Sequence, residues 1–132
     1  MPRLPRSPPI LLLVGGVLLA WGPTLLSRGF SYDDAELIVG NPLVEGSLPA
    51  GEAFGRDYWH HRGVSGHYRP LSTLSLRLDR ALWGERVAGY HATNLALFLL
   101  LVLLAARLLA RAGALRGAPL AGLALFAVHP AL

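Results

Sequence analysis

Two charge-free apolar runs constrain this chain more than any other feature of its sequence. Residues 8–27 and 87–106 are each twenty residues long and contain no Asp, Glu, Lys or Arg. At a helical rise of about 1.5 Å per residue, twenty residues cross a hydrocarbon core of about 30 Å. The apolar residues are clumped along the chain, without the strand or surface-helix period of a soluble fold. Charged residues make up 15% of the chain, whereas soluble domains carry about 25%. The expected fold class is an all-α membrane protein.

The first run, with Gly15-Gly16 and Pro23 inside it, is read as an uncleaved transmembrane helix, since Gly and Pro are tolerated in such helices. The rival is a cleaved secretory signal, because a basic lead with Arg3 and Arg6 precedes an apolar stretch. Its cleavage signature is poor: Ala20-Trp21-Gly22 is followed at once by Pro23. Trp21 suits the aromatic belt at a membrane interface.

The second span covers 89–106, and Arg107, Arg111 and Arg116 follow it. A third apolar run occupies 118–132. Its fifteen residues are fewer than the ~17 a helix needs to span, so the expectation is a truncated third helix and a fragment of a longer chain. The segments are then a cytoplasmic lead at 1–7, span one at 8–27, a long loop at 28–88, span two at 89–106, a cytoplasmic loop at 107–117, and the start of span three at 118–132.

Arginine placement sets the orientation. By the positive-inside rule, Arg3, Arg6, Arg107, Arg111 and Arg116 place the N-terminus and the 107–117 loop in the cytoplasm and the 28–88 loop outside. In a bacterium the chain would be integral to the inner membrane, with that loop in the periplasm. The twelve basic residues are all arginine and are dispersed, where a nucleic-acid binder would cluster them on one face; no nucleic-acid partner is expected. The absence of cysteine excludes disulfides and thiolate metal sites.

The loop holds all eight acidic residues of the chain. Turn chemistry at Gly40-Asn41-Pro42 and 47–51 breaks it, and the text between those turns is too short for an independent core. Farther on, Leu71, Leu74, Leu78 and Leu82 recur at spacings of three and four, one stripe of a helix whose first turn Pro70 suits. Arg77, Asp79 and Arg80 lie off that stripe. An amphipathic helix between two spans is expected to lie in the interface plane; the alternative is that its stripe packs on membrane helices as core.

Asp33-Asp34 leads the chemistry. Adjacent carboxylates beside a bilayer repel one another and are costly to desolvate, both of which favour proton uptake and suit a general base. The competing role is a helix N-cap ahead of 35–39. His60, His61 and His67 with Asp57 lack the i, i+4 ligand spacing of metalloproteases, so no metal site is assigned; a divalent cofactor is not indicated. Arg69 and His91 flank the amphipathic stretch and suit a phosphate, which the arginine fork matches. The alternative for Arg69 is snorkelling or pairing with a loop carboxylate.

The ordered blocks Phe30, Tyr32-Asp33-Asp34, Ile38, Asn41, then Asp57-Tyr58-Trp59, Tyr68-Arg69-Pro70-Leu71, Gly89-Tyr90-His91-Ala92-Thr93-Asn94 and Phe126-Ala127-Val128-His129-Pro130 resemble the start of a C-superfamily membrane glycosyltransferase. The resemblance is to relatives of protein O-mannosyltransferases, including the transmembrane kind that carry tetratricopeptide repeats. It implies transfer of a sugar, usually mannose, from a polyprenyl-phosphate donor in the membrane lipid to a hydroxyl acceptor on a protein or glycan at the outer face. It further implies that Asp33 is the base, with Asp34 the second acidic residue, and that Arg69, His91 and His129 stabilise the lipid phosphate. The rival class is a small non-catalytic membrane protein whose loop binds a partner.

Overall fold

The computed structural model describes residues 8–129. The lead at 1–7, with Arg3 and Arg6, and the last three residues of the expected third span, Pro130 among them, lie outside the described residues. Within them all regular structure is helical: α1 (Pro8–Trp21), α2 (Asp34–Ile38), α3 (Pro42–Glu45), α4 (Pro70–Trp83), α5 (Val87–Arg111) and α6 (Gly117–Val128), with 3₁₀ turns at Gly22–Leu26 and Ala50–Phe54. The chain divides into two compact units.

One unit contains α1, α6 and α5 from Ala92 onward. Leu13 and Val17 of α1, Leu95, Val102 and Ala106 of α5, and Leu123 and Ala127 of α6 form its core. Small residues at this seam let backbones approach: a Cβ at Gly16 would lie 3.7 Å from Val128 Cγ1. Trp21 Nε1 donates to the Ala127 carbonyl at 2.9 Å, and its ring meets Phe98 edge-on at 6.2 Å. The residue expected at a membrane interface therefore also ties α1 to α6. At the end of α5, Ala114 N–H donates to the Leu109 carbonyl across Gly113, whose φ is +68°, the closure that satisfies last-turn carbonyls.

Pro9–Leu26 and Val87–Arg111 are long and apolar enough to cross a membrane, and only 11% and 17% of their apolar windows is buried. Leu11, Leu12, Leu19, Leu100, Leu101 and Leu108 are among the exposed side chains. A core helix of a water-soluble domain would cover such residues, because exposing them to water forfeits about 25 cal/mol per Å². The two helices mark the chain as membrane-associated.

The other unit, Leu25–His91, is more structured than its turn-rich text predicts. Ile38, Val44 and Tyr90 form a core, with Phe30 and Leu76 packed on it, and Phe30 meets Tyr90 edge-on at 5.3 Å. The text between the turns builds no core alone: Leu76 and Tyr90, supplied from later helices, complete this one. Asn41, 1% exposed, ties α2 to α3: its Nδ2 donates to the Leu37 carbonyl at 3.1 Å and its Oδ1 accepts from Leu43 N–H at 3.1 Å. Pro42 occupies the first turn of α3, where a missing N–H costs nothing.

The helix α4 has the bounds its leucine period predicts, and its faces are inverted relative to a soluble helix. Leu71, Leu78 and Leu82 are 74%, 60% and 63% exposed, while Thr73 and Asp79 are buried. Arg77 anchors the inner face, donating Nη1–H to the carbonyls of Leu43 at 2.8 Å and Leu48 at 2.6 Å. Among the described residues the leucine stripe is not core. The turn into α5 is closed by Tyr90 Oη, which donates to the Gly84 carbonyl at 2.8 Å.

Candidate functional site

The acidic pair opens α2. Asp33 is its N-cap residue, but its carboxylate makes no capping bond. The backbone carbonyl of Asp33 accepts from Glu36 N–H at 3.1 Å and Leu37 N–H at 2.8 Å, so the helix starts without either carboxylate. Both side chains are exposed, and neither forms a hydrogen bond or ion pair with a described residue. The cap position exists as expected, and the capping role for the side chain does not. Immediately before the pair, Tyr32 has φ +50° and is 99% exposed. Its turn is closed by Asp34 N–H donating to the Ser31 carbonyl at 3.1 Å.

Tyr58 and Arg69 join this neighbourhood. The Arg69 guanidinium lies 5.5 Å from the centre of the Tyr58 ring, a cation–π contact of about 0.5–1 kcal/mol at a solvated site. Burial pushes the Tyr58 phenol up; the Arg69 charge pulls it back, and the carboxylates of Asp34 and Asp33 push it further up. All four groups thus share one field within this unit. Among the described residues Arg69 forms no ion pair with a loop carboxylate.

Asp57 organises the rest of the loop. Its carboxylate accepts Trp59 N–H at 2.8 Å, Ser65 Oγ–H at 2.8 Å and Ser65 N–H at 3.2 Å. Desolvation raises this carboxyl, and the bonds from Trp59 and Ser65 outweigh that and hold it below the usual aspartate value. Such bonds favour the charged form directly. His67 Nδ1 lies 2.9 Å from Ser65 Oγ, and Tyr58 N–H donates to the His67 carbonyl at 2.7 Å.

His60 and His61 are occupied by backbone. His60 Nδ1 is 3.2 Å from the Asp57 carbonyl, and His61 Nε2 is 2.9 Å from the Glu36 carbonyl. Arg62 pairs with Glu36 at 3.5 Å. Among the described residues no three His, Cys, Asp or Glu side chains gather in a geometry that holds a metal. The contact from His61 to Glu36 ties the aromatic loop to the helix that Asp33 opens, a link of 25 residues with no sequence signal.

The other two expected phosphate ligands are placed differently. His91 is half-buried at the end of this unit and makes no hydrogen bond or ion pair with Arg69. His129 belongs to the other unit, where it caps α6 and donates its N–H to the Phe126 carbonyl at 3.3 Å. Of the expected site residues, Arg69 touches the Tyr58 ring, and Asp33 and Asp34 act on that phenol through their charge alone; in the sequence Tyr58 stood out only within the Asp57-Tyr58-Trp59 block.

Comparison with known proteins gives consistent relatives. Over 113 residues, 80% of this chain and 13% of the relative, the sequence is 40% identical to Protein O-mannosyl-transferase Tmtc1 of Drosophila melanogaster. It is 36% identical over 110 residues to Protein O-mannosyl-transferase Tmtc2 of the same organism, covering 80% of this chain and 12% of that protein. Protein O-mannosyl-transferase TMTC4 of Homo sapiens is 32% identical over 91 residues, 65% of this chain and 12% of its own length. The resemblance to protein O-mannosyltransferases holds, and the chain spans only about an eighth of the length of these relatives. No protein-family model and no solved structure matches.

Proposed function

We propose that this chain is part of an integral-membrane glycosyltransferase that moves a sugar, mannose by analogy with its relatives, from a polyprenyl-phosphate donor to a hydroxyl of a protein acceptor. The carrying observation is the exposed Asp33-Asp34 pair, its carboxylates uncommitted to capping or ion pairing, in the field of Tyr58 and Arg69. The relatives, each named a protein O-mannosyl-transferase, support the reading.

In this reading Asp33 takes the proton from the acceptor hydroxyl, which must come within about 2.6–3.2 Å of its carboxylate. The acceptor oxygen attacks the anomeric carbon, a new C–O bond forms, and the bond from that carbon to the donor phosphate oxygen breaks. The phosphate leaves with the electron pair. Asp34 stands beside the base as the second acidic residue of the pair. Arg69 binds the departing phosphate through its fork, and His91 of the same unit contributes to that anion.

The membrane placement belongs to the same proposal. The N-terminus and the 107–117 loop are cytoplasmic, and the 28–88 loop is external, in a bacterium on the periplasmic side. Helix α4 lies in the interface with its leucine stripe against acyl chains. A fluorophore on a single cysteine at Leu78, in this cysteine-free chain, is then quenched by lipid-borne quenchers in bilayers; quenching by aqueous iodide alone refutes the placement. The catalytic reading is tested by Asp33→Asn in the whole protein, which abolishes transfer while membrane insertion persists.

A further inference from the structure

Tyr32 is the one non-glycine residue among the described residues with a left-handed backbone, φ +50°. That region crowds the Cβ of an L-residue, and a bulky side chain there is a marked outlier. Nothing inside the fold accounts for it. The side chain is 99% exposed, and among the described residues its phenol makes no hydrogen bond and its ring meets no other ring. A strained, exposed aromatic that nothing inside the fold repays is the kind of outlier from which a functional role is inferred.

We infer that Tyr32 is an acceptor-contacting residue, its ring forming the wall against which the hydroxyl-bearing segment of the protein substrate lies beside Asp33. The inference rests on the proposed base role of Asp33. A base touches the acceptor hydroxyl, and the Tyr32 and Asp33 Cα atoms are about 3.8 Å apart, so the tyrosine ring is within reach of a segment that Asp33 engages. The donor phosphate is met elsewhere, by Arg69 held on the Tyr58 ring at 5.5 Å. A tyrosine also supplies a large contact surface while fixing only two side-chain torsions, the economy that enriches it at protein-binding surfaces.

The test is steady-state kinetics of the whole protein with a synthetic acceptor peptide and a polyprenyl-phosphate sugar varied separately. Tyr32→Gly removes the ring and accommodates the positive φ, so the thermal midpoint holds or rises while the acceptor KM increases by about tenfold, the loss of one aromatic anchor. The donor KM stays put, and Tyr32→Phe restores the acceptor KM because the ring, not the hydroxyl, makes the contact. An unchanged acceptor KM in Tyr32→Gly, in an enzyme that Asp33→Asn inactivates, overturns the inference and leaves the base assignment standing. A shift in the donor KM alone also overturns it. Full turnover by Asp33→Asn removes the base and the inference built on it.

Discussion

Arg77 reaches across 34 residues to donate Nη1–H to the Leu43 carbonyl at 2.8 Å, and the same nitrogen donates to the Leu48 carbonyl at 2.6 Å. Between those carbonyls the chain turns at Gly46, φ +93°, with the guanidinium packed 3.6 Å from where a Cβ would be. A cation at the end of a short helix satisfies carbonyls that no backbone amide reaches. It also fixes the roll of α4, polar side inward and leucines outward. Arg77→Ala is therefore expected to cost about 2–3 kcal/mol, the scale for hydrogen bonds to a charged group. Denaturant unfolding followed by Trp59 fluorescence measures it, and a loss below about 0.5 kcal/mol would show the contact to be incidental.

Gly89 packs against Trp83 with no room to spare. A Cβ there would lie 2.3 Å from Trp83 Cγ and 2.6 Å from Trp83 Cβ, so the indole cannot simply swing aside. Gly89→Ala is expected to destabilise the 25–91 unit by about 1–3 kcal/mol through overpacking. Trp83→Ala in the same chain should recover part of that loss, a coupling read from a double-mutant cycle. Additive effects of the two changes contradict the contact.

The His60 imidazole titrates below its ordinary value of 6.5, first because burial disfavours its charged form and then because His61 and Arg56 repel the charge, against the opposing pull of the Asp57 carbonyl. The unfolded chain then binds this proton more readily than the folded one. Stability is fully present above about pH 6.5 and is lost as pH falls through the folded value. Unfolding midpoints measured between about pH 7.5 and 5.5 should fall, and His60→Gln should flatten that slope. A slope untouched by His60→Gln assigns the effect to another group.

How much of this was legible in the sequence differs by length scale. The apolar runs behind α1 and α5, and the leucine period of α4, act within one helix and are visible in the sequence, although α1 ends at Trp21, ahead of the expected 27, and α5 runs on to Arg111, past the expected 106. The helices α2 and α3 are five and four residues long, shorter than a hydrophobic period can resolve, and are held by Asn41 and Arg77 instead. The core of Ile38, Val44 and Tyr90 joins segments about fifty residues apart, which no local pattern encodes. The acidic pair was singled out by composition and place. Its freedom from capping, and the Arg69–Tyr58 contact whose phenol feels its charge, depend on tertiary and backbone geometry that a text does not carry.

The central claim is that Asp33 is the base for transfer to a hydroxyl. Its most direct measurement is sugar transfer by the whole protein carrying Asp33→Asn, with Asp34→Asn beside it and membrane insertion checked in both. The amide is nearly isosteric and accepts no proton in the working range, so the account predicts a fall in kcat of about 10²-fold or more for Asp33→Asn and a smaller one for Asp34→Asn. Undiminished turnover by a correctly inserted Asp33→Asn protein contradicts it.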